Sequence, residues 1–210
     1  MRTFDFVKKF IVATLVAGAL LCGLAPRATA QQGALTVQID LAKMVDEAEN
    51  VVLGRVTNVV AEKHPQFENL DTVVVTLQVL DPLKGSPGAQ LSFRQYVFDI
   101  HDRDTKLGYR LGEEVVVMLR RPSQYGLTSP VGFEQGRFKV ERDAANIRML
   151  RNGQDNAGLF TGIEQSSPQL SVQLTPAVRQ LVIEHRAGAI SYEQFKSLVQ
   201  SEVAVRQSAP

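Results

Sequence analysis

A nearly continuous run of strand-forming residues, TVVVTLQVLDPLKG at positions 72–85, limits the folds open to this chain more than any other stretch. Side chains alternate across an extended chain, so four apolar residues of this run share one face. These are Val73, Val75, Leu77 and Val79. We predict a central strand with this face in a core. We expect Asp81-Pro82 to end its pairing, because proline has no N–H to donate.

The remaining strands are predicted from alternating apolar residues between turn-forming residues. They are expected at 51–60, 91–97, 114–120 and 137–141, with a sixth at 147–150. Gly54 lies inside the first strand and predicts a bulge or a sharp bend there. Alternation predicts that Val52, Val56 and Val60 share one face of this strand with Gly54. Residues 61–71 are polar and contain His64-Pro65, so we expect a loop.

Predicted helices precede and follow the strands. One short amphipathic helix is expected at 41–48 after an N-cap aspartate, and a helical hairpin at 174–206 follows a linker or strap at 161–173. We therefore predict a mainly β fold, a five- to six-stranded OB-like antiparallel barrel with accessory helices, over residues 34–160. A β-sandwich is the alternative, because strand patterning does not count sheets. The hairpin is expected to pack on the barrel; binding to a partner protein is the other interpretation.

The N-terminus has the pattern of a secretory signal peptide at residues 1–30. A positive start precedes an apolar run too short for a stable membrane span, and the small-x-small sequence ATA follows. We expect cleavage between Ala30 and Gln31 and export to the periplasm or secretion. A lipoprotein with lipid on Cys22 is disfavoured, because Leu21 stands where such sites carry a small residue.

Charge and cysteine content exclude several function classes. The whole chain has a formal charge of +1, and removing the four basic residues and one acidic residue of the predicted signal leaves −2. The mature chain therefore has no basic excess for binding nucleic acid. It would also contain no cysteine, which excludes disulfides and thiolate metal sites. No cofactor is expected, and no membrane span is expected in the mature chain.

Four motifs follow one another in an order that resembles a known family. They are NVVLGRV at 50–56, the 72–85 run, LGEEVVVML at 111–119 and QGRFKV at 135–140. Together they resemble the netrin-like OB domains of small exported bacterial proteins, which are related in fold to tissue inhibitors of metalloproteinases. The resemblance covers residues 40–160, where NGQDNAGLF at 152–160 is similar to the closing segment. It implies an extracytoplasmic OB module. The inhibitors' zinc-chelating N-terminal cysteine is absent, so protease inhibition is only an alternative.

A cluster of possible metal ligands follows the third strand. It consists of Asp99, His101, Asp102 and Asp104. Asp102, Asp104 and Glu113 imitate positions 1, 3 and 12 of a calcium loop, but Leu107 stands where that loop requires glycine. The favoured interpretation is a solvated loop whose charges pair internally. A metal-dependent or other hydrolase that uses residues 99–104 is the alternative.

Aromatic and charged residues near the same loop are candidates for a ligand-binding face. They are Tyr96, His101, Arg103, Tyr109 and Tyr125. OB barrels commonly bind ligands on one sheet face and its loops. The chain has no GxSxG, HExxH or phosphate-loop motif, and His185 is interpreted as a packed residue on a helix. We therefore expect a binding or interaction module that is not an enzyme, with an unknown protein, peptide or saccharide partner.

Overall fold

The computed structural model describes residues 37–163 and 174–208. The predicted signal peptide, its cleavage site and most of the predicted linker at 161–173 lie outside these residues. Seven described strands form one sheet: β1 (Asn50–His64), β2 (Phe67–Lys84), β3 (Gln90–Tyr96), β4 (Glu114–Leu119), β5 (Arg137–Arg142), β6 (Arg148–Asn152) and β7 (Ile190–Ser191). Four α-helices accompany them: α1 (Leu41–Glu47), α2 (Ile100–Asp104), α3 (Pro176–Glu184) and α4 (Tyr192–Ser208).

The sheet is open, with strand order β3-β2-β1-β4-β5-β6-β7 and antiparallel pairing throughout. The predicted mainly β class with accessory helices is confirmed, whereas closure into an OB-like barrel is not. In the connection between β4 and β5, Leu127 and Pro130 make isolated bridges, a parallel one with Arg94 and an antiparallel one with Leu119. The seventh strand was not predicted because β7 is only two residues long and lies between two helices.

Strand β4 and residues 51–54 of the neighbouring β1 are buried on both faces. In β4, Val116 and Met118 belong to a helical core, which is built with residues of α1, β5, β6 and α4. Val115 and Val117 belong to an inner core on the other face, which is built from β1, β2, β3 and β4. Two-sided burial explains why EVVVML is apolar almost without alternation.

Gly54 permits a close approach between β1 and β2. The pairing register shifts between Leu53 and Gly54, so the predicted bulge is confirmed. A Cβ atom at position 54 would lie 2.9 Å from the Leu77 Cβ. A second shift between Val56 and Asn58 reverses the alternation beyond it. The prediction that Val60 shares the face of Val52 and Val56 is therefore wrong, and Val59 is buried with them in the inner core instead.

The predicted loop at 61–71 is also wrong, because β1 and β2 continue as a long hairpin to a tight turn between His64 and Phe67. Its charged side chains pair across the strands; Lys63 Nζ lies 2.9 Å from Asp71 Oδ1. Asp81-Pro82 does not end the pairing either, since Pro82 lies opposite Val52. β3 pairs with β2 only up to Gln78, so the proline occupies a stretch with one free side, where it is tolerated.

The DPLKG segment joins the sheet to the helices. Asp81 Oδ2 accepts hydrogen bonds from Tyr192 Oη (2.7 Å) and Lys196 Nζ (2.6 Å) of α4. Lys84 Nζ donates to the carbonyl oxygens of Val45 and Ala48 at the end of α1, both at 2.6 Å. A cation at this position satisfies carbonyl groups that have no partner within the helix. The segment is therefore structural.

The C-terminal helices pack on the sheet, as expected. Phe195, Leu198 and Val199 of α4 are fully buried in the helical core. The Phe195 ring lies 4.9 Å from that of Phe138 on β5. The predicted N-cap of α1 is confirmed at Asp40, and Thr175 caps α3 in the same way; both side chains accept hydrogen bonds from backbone N–H groups. Among the described helices, none is both long and apolar enough to cross a membrane.

His185, at the end of α3, gives the helical core a pH dependence. Its ring contacts Phe160 edge-on at 5.3 Å, and burial lowers the pKa of His185 from its ordinary value of 6.5. The unfolded chain therefore binds a proton at a higher pH than the folded chain, and stability falls as the pH drops below about 6.5. We expect His185→Leu to lose less stability than the wild type between pH 7.5 and 5.0 in urea melts. Equal losses would contradict this assignment.

Candidate ligand-binding surface

The five residues predicted to bind a ligand do not lie on one face. Tyr109 is buried in the inner core, edge-on to Phe93 at 5.9 Å. Tyr125, in the loop after β4, contacts Phe67 at the tip of the β1–β2 hairpin, whereas Tyr96 ends β3. His101 and Arg103 lie on the one-turn helix α2 that follows, where no side chain is fully buried. The structure therefore separates a surface around Tyr96 from a second cluster around Tyr125.

The surface around Tyr96 is an aromatic ledge, which we define as Tyr96, Phe98 and Phe133. The Phe98 ring lies 4.7 Å from Tyr96 and 5.6 Å from Phe133, and the planes are inclined at 60° and 64°. Phe98 is 56% exposed, and Ile100, two residues further along the chain, is 70% exposed. Adjacent large apolar side chains in contact with water are a common mark of interaction surfaces.

Phe133 reaches the ledge through an unusual backbone conformation. Its φ is 55°, in the left-handed region, and Gly132 before it has a φ of 62°. A residue with a β-carbon loses roughly 1–2 kcal/mol of conformational free energy in the left-handed region. The turn is held by hydrogen bonds from Phe133 N to Pro130 O (3.0 Å) and from Gly136 N to Phe133 O (3.2 Å). Backbone strain that places an aromatic ring at the surface often accompanies function. Phe133 was not predicted from the sequence, although an aromatic residue after a turn glycine was a visible signal.

A buried arginine, Arg137, fixes the loop between α2 and β4. The Arg137 guanidinium stacks over the Tyr109 ring at 4.5 Å and pairs with Glu134 at 2.6 Å. It also donates to the Leu107 carbonyl oxygen. Burial raises the pKa of Tyr109 well above its ordinary value, so this phenol stays neutral. Arg137 thus connects this loop to Glu134, the residue after Phe133, and the buried Tyr109 is not accessible to a ligand.

The second aromatic cluster fastens the hairpin tip. His64 Nε2 donates to the Tyr125 carbonyl oxygen at 2.9 Å, while Nδ1 accepts from Gln66 N at 3.1 Å. The Phe67 ring lies 4.9 Å from His64 and 5.1 Å from Tyr125. Both imidazole nitrogens are thus occupied by hydrogen bonds. His64 ties the tip to the loop after β4 and offers no free nitrogen for chemistry.

The predicted metal-ligand loop is folded by its own side chains. Asp99 is the N-cap of α2, and its carboxylate accepts from Asp102 N at 2.9 Å. Thr105 Oγ1 donates to the His101 carbonyl oxygen at 2.8 Å. Among the described residues, no three His, Cys, Asp or Glu side chains are grouped so that they could hold a metal ion. Asp104 and the other candidate ligands are therefore not brought together as a metal centre.

Residues of the QGRF and NGQDNAGLF motifs form a buried polar network. Asn156 Nδ2 donates to Leu150 O and Gly188 O, both at 2.8 Å. Asn152 Nδ2 donates to Gln135 O at 3.0 Å, and Gln135 Oε1 accepts from Ile39 N at 2.9 Å. These side chains occupy backbone groups of separate segments, which would otherwise be buried without partners. These two motifs, which contribute to the family resemblance, therefore stabilise the scaffold.

Comparison with known proteins adds no assignment. No protein-family model, no curated protein and no solved structure matches this chain.

Proposed function

We propose that this chain is an exported binding module without catalysis, and that its aromatic ledge receives an apolar side chain of a protein or peptide partner. The observation that carries the proposal is the ledge itself. Phe98 is more than half exposed, although its ring is within contact distance of Tyr96 and Phe133. Rigid aromatic rings at a surface dominate many protein interfaces, because they bury a large area with little loss of side-chain freedom.

The ring geometry favours a peptide or protein over a saccharide. The Phe98 plane is inclined by 60° or more to the planes of both neighbouring rings. Inclined rings make a faceted apolar surface, whereas a sugar ring stacks best on one flat aromatic face. Exposed Ile100 on α2 extends the surface with an aliphatic side chain, which again suits apolar groups. His101 and Arg103 lie on the same short helix and supply polar groups at the rim.

We also propose that the fold is related to the OB fold. Strands β1 to β4 have the order β3-β2-β1-β4, and the isolated bridge between Arg94 and Leu127 is parallel. This arrangement supports an OB-like relationship in which loops at one end of the strands carry the ligand. A hydrolase based on residues 99–104 is less well supported, because Asp99 is engaged as a helix cap. Protease inhibition would be one particular form of partner binding.

Phage display of random peptides on the full mature chain tests this proposal. We expect enriched peptides with an aliphatic or aromatic anchor, and Phe98→Ala should weaken a selected peptide by about tenfold or more, as for interface hot spots. Phe133→Gly should weaken the peptide similarly while keeping the protein folded, since glycine adopts a φ of 55° without strain. Calorimetric titration measures both affinities.

Ile183→Ala is the matched control, because Ile183 is 54% exposed on α3 and lies outside the ledge. It should leave peptide affinity within about twofold of the wild type. Equal weakening by Ile183→Ala would show that the peptides recognise apolar surface in general. Binding of oligosaccharides with no peptide selected would reject the protein-partner proposal.

A further inference from the structure

A second polar site lies on the helical-core face of the sheet, where residues of β1, β4, β5 and β6 meet. Glu114, at the start of β4, has a side chain only 11% exposed. Its Oε1 lies 2.8 Å from Arg55 Nη2, and its Oε2 lies 2.9 Å from Arg148 Nε. Arg142 Nη2 is 3.9 Å from the same Oε2. Three guanidinium groups therefore converge on one carboxylate.

The strand register forces this convergence. Arg55 lies directly opposite Glu114, whereas Arg142 lies directly opposite Arg148 on the neighbouring pair of strands. Like charges placed opposite each other destabilise an antiparallel pair. Burial raises the pKa of Glu114, but hydrogen bonds from Arg55 and Arg148 outweigh burial and the pKa is lowered. The carboxylate therefore stays ionised, and the four side chains retain two excess positive charges.

The arginines also have unused donors. A guanidinium carries five N–H groups. Arg55 uses Nη2 and Arg148 uses Nε for Glu114, and Arg142 Nη1 donates to Asn146 O at 3.1 Å. Across the part of the chain that the structure describes, the remaining N–H groups of Arg55 and Arg148 have no other hydrogen-bond acceptor. The side chains are 48%, 46% and 34% exposed for Arg55, Arg142 and Arg148, so water and small solutes reach them.

We propose that Arg55, Arg142 and Arg148 form a binding site for a tetrahedral oxyanion with two negative charges, such as phosphate or sulfate. Two excess positive charges match this ligand in charge. Guanidinium forks from three strands can reach different oxygens of a tetrahedral group, whereas a planar carboxylate offers only two oxygens. Glu114 positions the guanidinium groups of Arg55 and Arg148 through its hydrogen bonds. The ligand is either the free ion or a phosphate or sulfate ester, which present the same oxygens.

Titration of the full mature chain with inorganic phosphate and sulfate tests the site, with chloride adjusted to keep the ionic strength constant. Backbone amide shifts by NMR should saturate at β5 and β6 around residues 142 and 148. Arg142→Gln should weaken phosphate binding by about tenfold, the effect of one lost charge-assisted bidentate contact. Arg55→Gln, on a different strand, should do the same. Glucose 6-phosphate in a parallel titration distinguishes an ester from the free ion, and binding of either supports the site.

The same hairpin supplies a matched control on its other face. Lys139 lies directly opposite Arg151, so the double variant Lys139→Gln/Arg151→Gln removes more charge from the same two strands. It should leave phosphate affinity within about twofold, because general attraction is screened by salt. Arg142→Gln should remain folded, since it relieves a like-charge pair; a thermal melt checks this. Shifts that do not saturate, or equal weakening by the control, would overturn the proposal.

Discussion

Leu77→Ala is expected to lower the free energy of unfolding by about 2–5 kcal/mol, through lost burial and a residual cavity. Leu77 is fully buried in the inner core, beside Gly54, where the strands approach too closely for an added Cβ. Neighbouring strands are therefore poorly able to collapse into the space. This loss is a large part of the roughly 5–15 kcal/mol typical of a folded domain. Urea melts measure it directly.

Substitutions in the loop after β3 should have much smaller effects on stability than Leu77→Ala. His101→Ala and Asp102→Ala should each change stability by no more than about 0.5 kcal/mol, because both side chains lie on the surface helix α2. The hydrogen bond to Asp99 uses the backbone of Asp102, which alanine retains. If either loop variant destabilised the protein as much as Leu77→Ala, the loop would be a structural or metal-linked centre, and the inner core would not be the main source of stability.

Gly136→Ala is expected to destabilise the protein by about 3 kcal/mol, at the upper end of the range for overpacked sites. An added Cβ would lie 2.9 Å from Val131 N and closer still to Val131 O. Both contacts are with backbone, so no side chain can rotate away. Val131 N donates to Met118 O at 2.8 Å, and Met118 N donates to Gly136 O at 2.9 Å. Alanine would therefore push the chain away from β4.

Gly126→Ala is the control that distinguishes the steric contact at Gly136 from the general effect of replacing a glycine. Gly126 has a φ of 74°, but a Cβ added there would meet no atom within 4 Å, so only backbone strain of about 1 kcal/mol is expected. In circular dichroism melts, the melting temperature of Gly136→Ala should lie well below that of Gly126→Ala. An equal stability for both would mean that the segments around Val131 and Gly136 can separate without loss.

Local patterns predicted the parts of the fold that depend on local physics. Alternation in 73–77 identified a buried face, and an isolated glycine at position 54 identified a bulge. The incorrect predictions concern features that depend on which strands pair and in which register. Charged residues at 61–71 were interpreted as a loop, but they pair across a hairpin. A one-residue register shift after Val56 exchanged Val59 for Val60, and no periodicity can show a shift that depends on the partner strand.

The candidate sites were harder to predict, because they combine residues far apart in sequence. Tyr96 was a candidate from the sequence, and Phe98 is close to it in the chain, but Phe133 joins them from a separate turn. Tyr109 and Tyr125 were indistinguishable from Tyr96 in the sequence, yet Tyr109 is buried and Tyr125 packs against the hairpin tip from the loop after β4. The convergence of Arg55, Arg142 and Arg148 on Glu114 depends on the register of four strands.

The two cores become complete at different points along the chain, which matters while the protein is being made. All fully buried residues of the inner core lie between Val52 and Leu119, whereas the helical core includes Phe195, Leu198 and Val199 near the C-terminus. A ribosome that has reached residue 160 has supplied the whole inner core. It has also left the apolar side chains of Met118, Phe138 and their neighbours in the helical core without the helix that covers them. Such exposed apolar surface makes the unfinished chain prone to aggregation until α4 is synthesised.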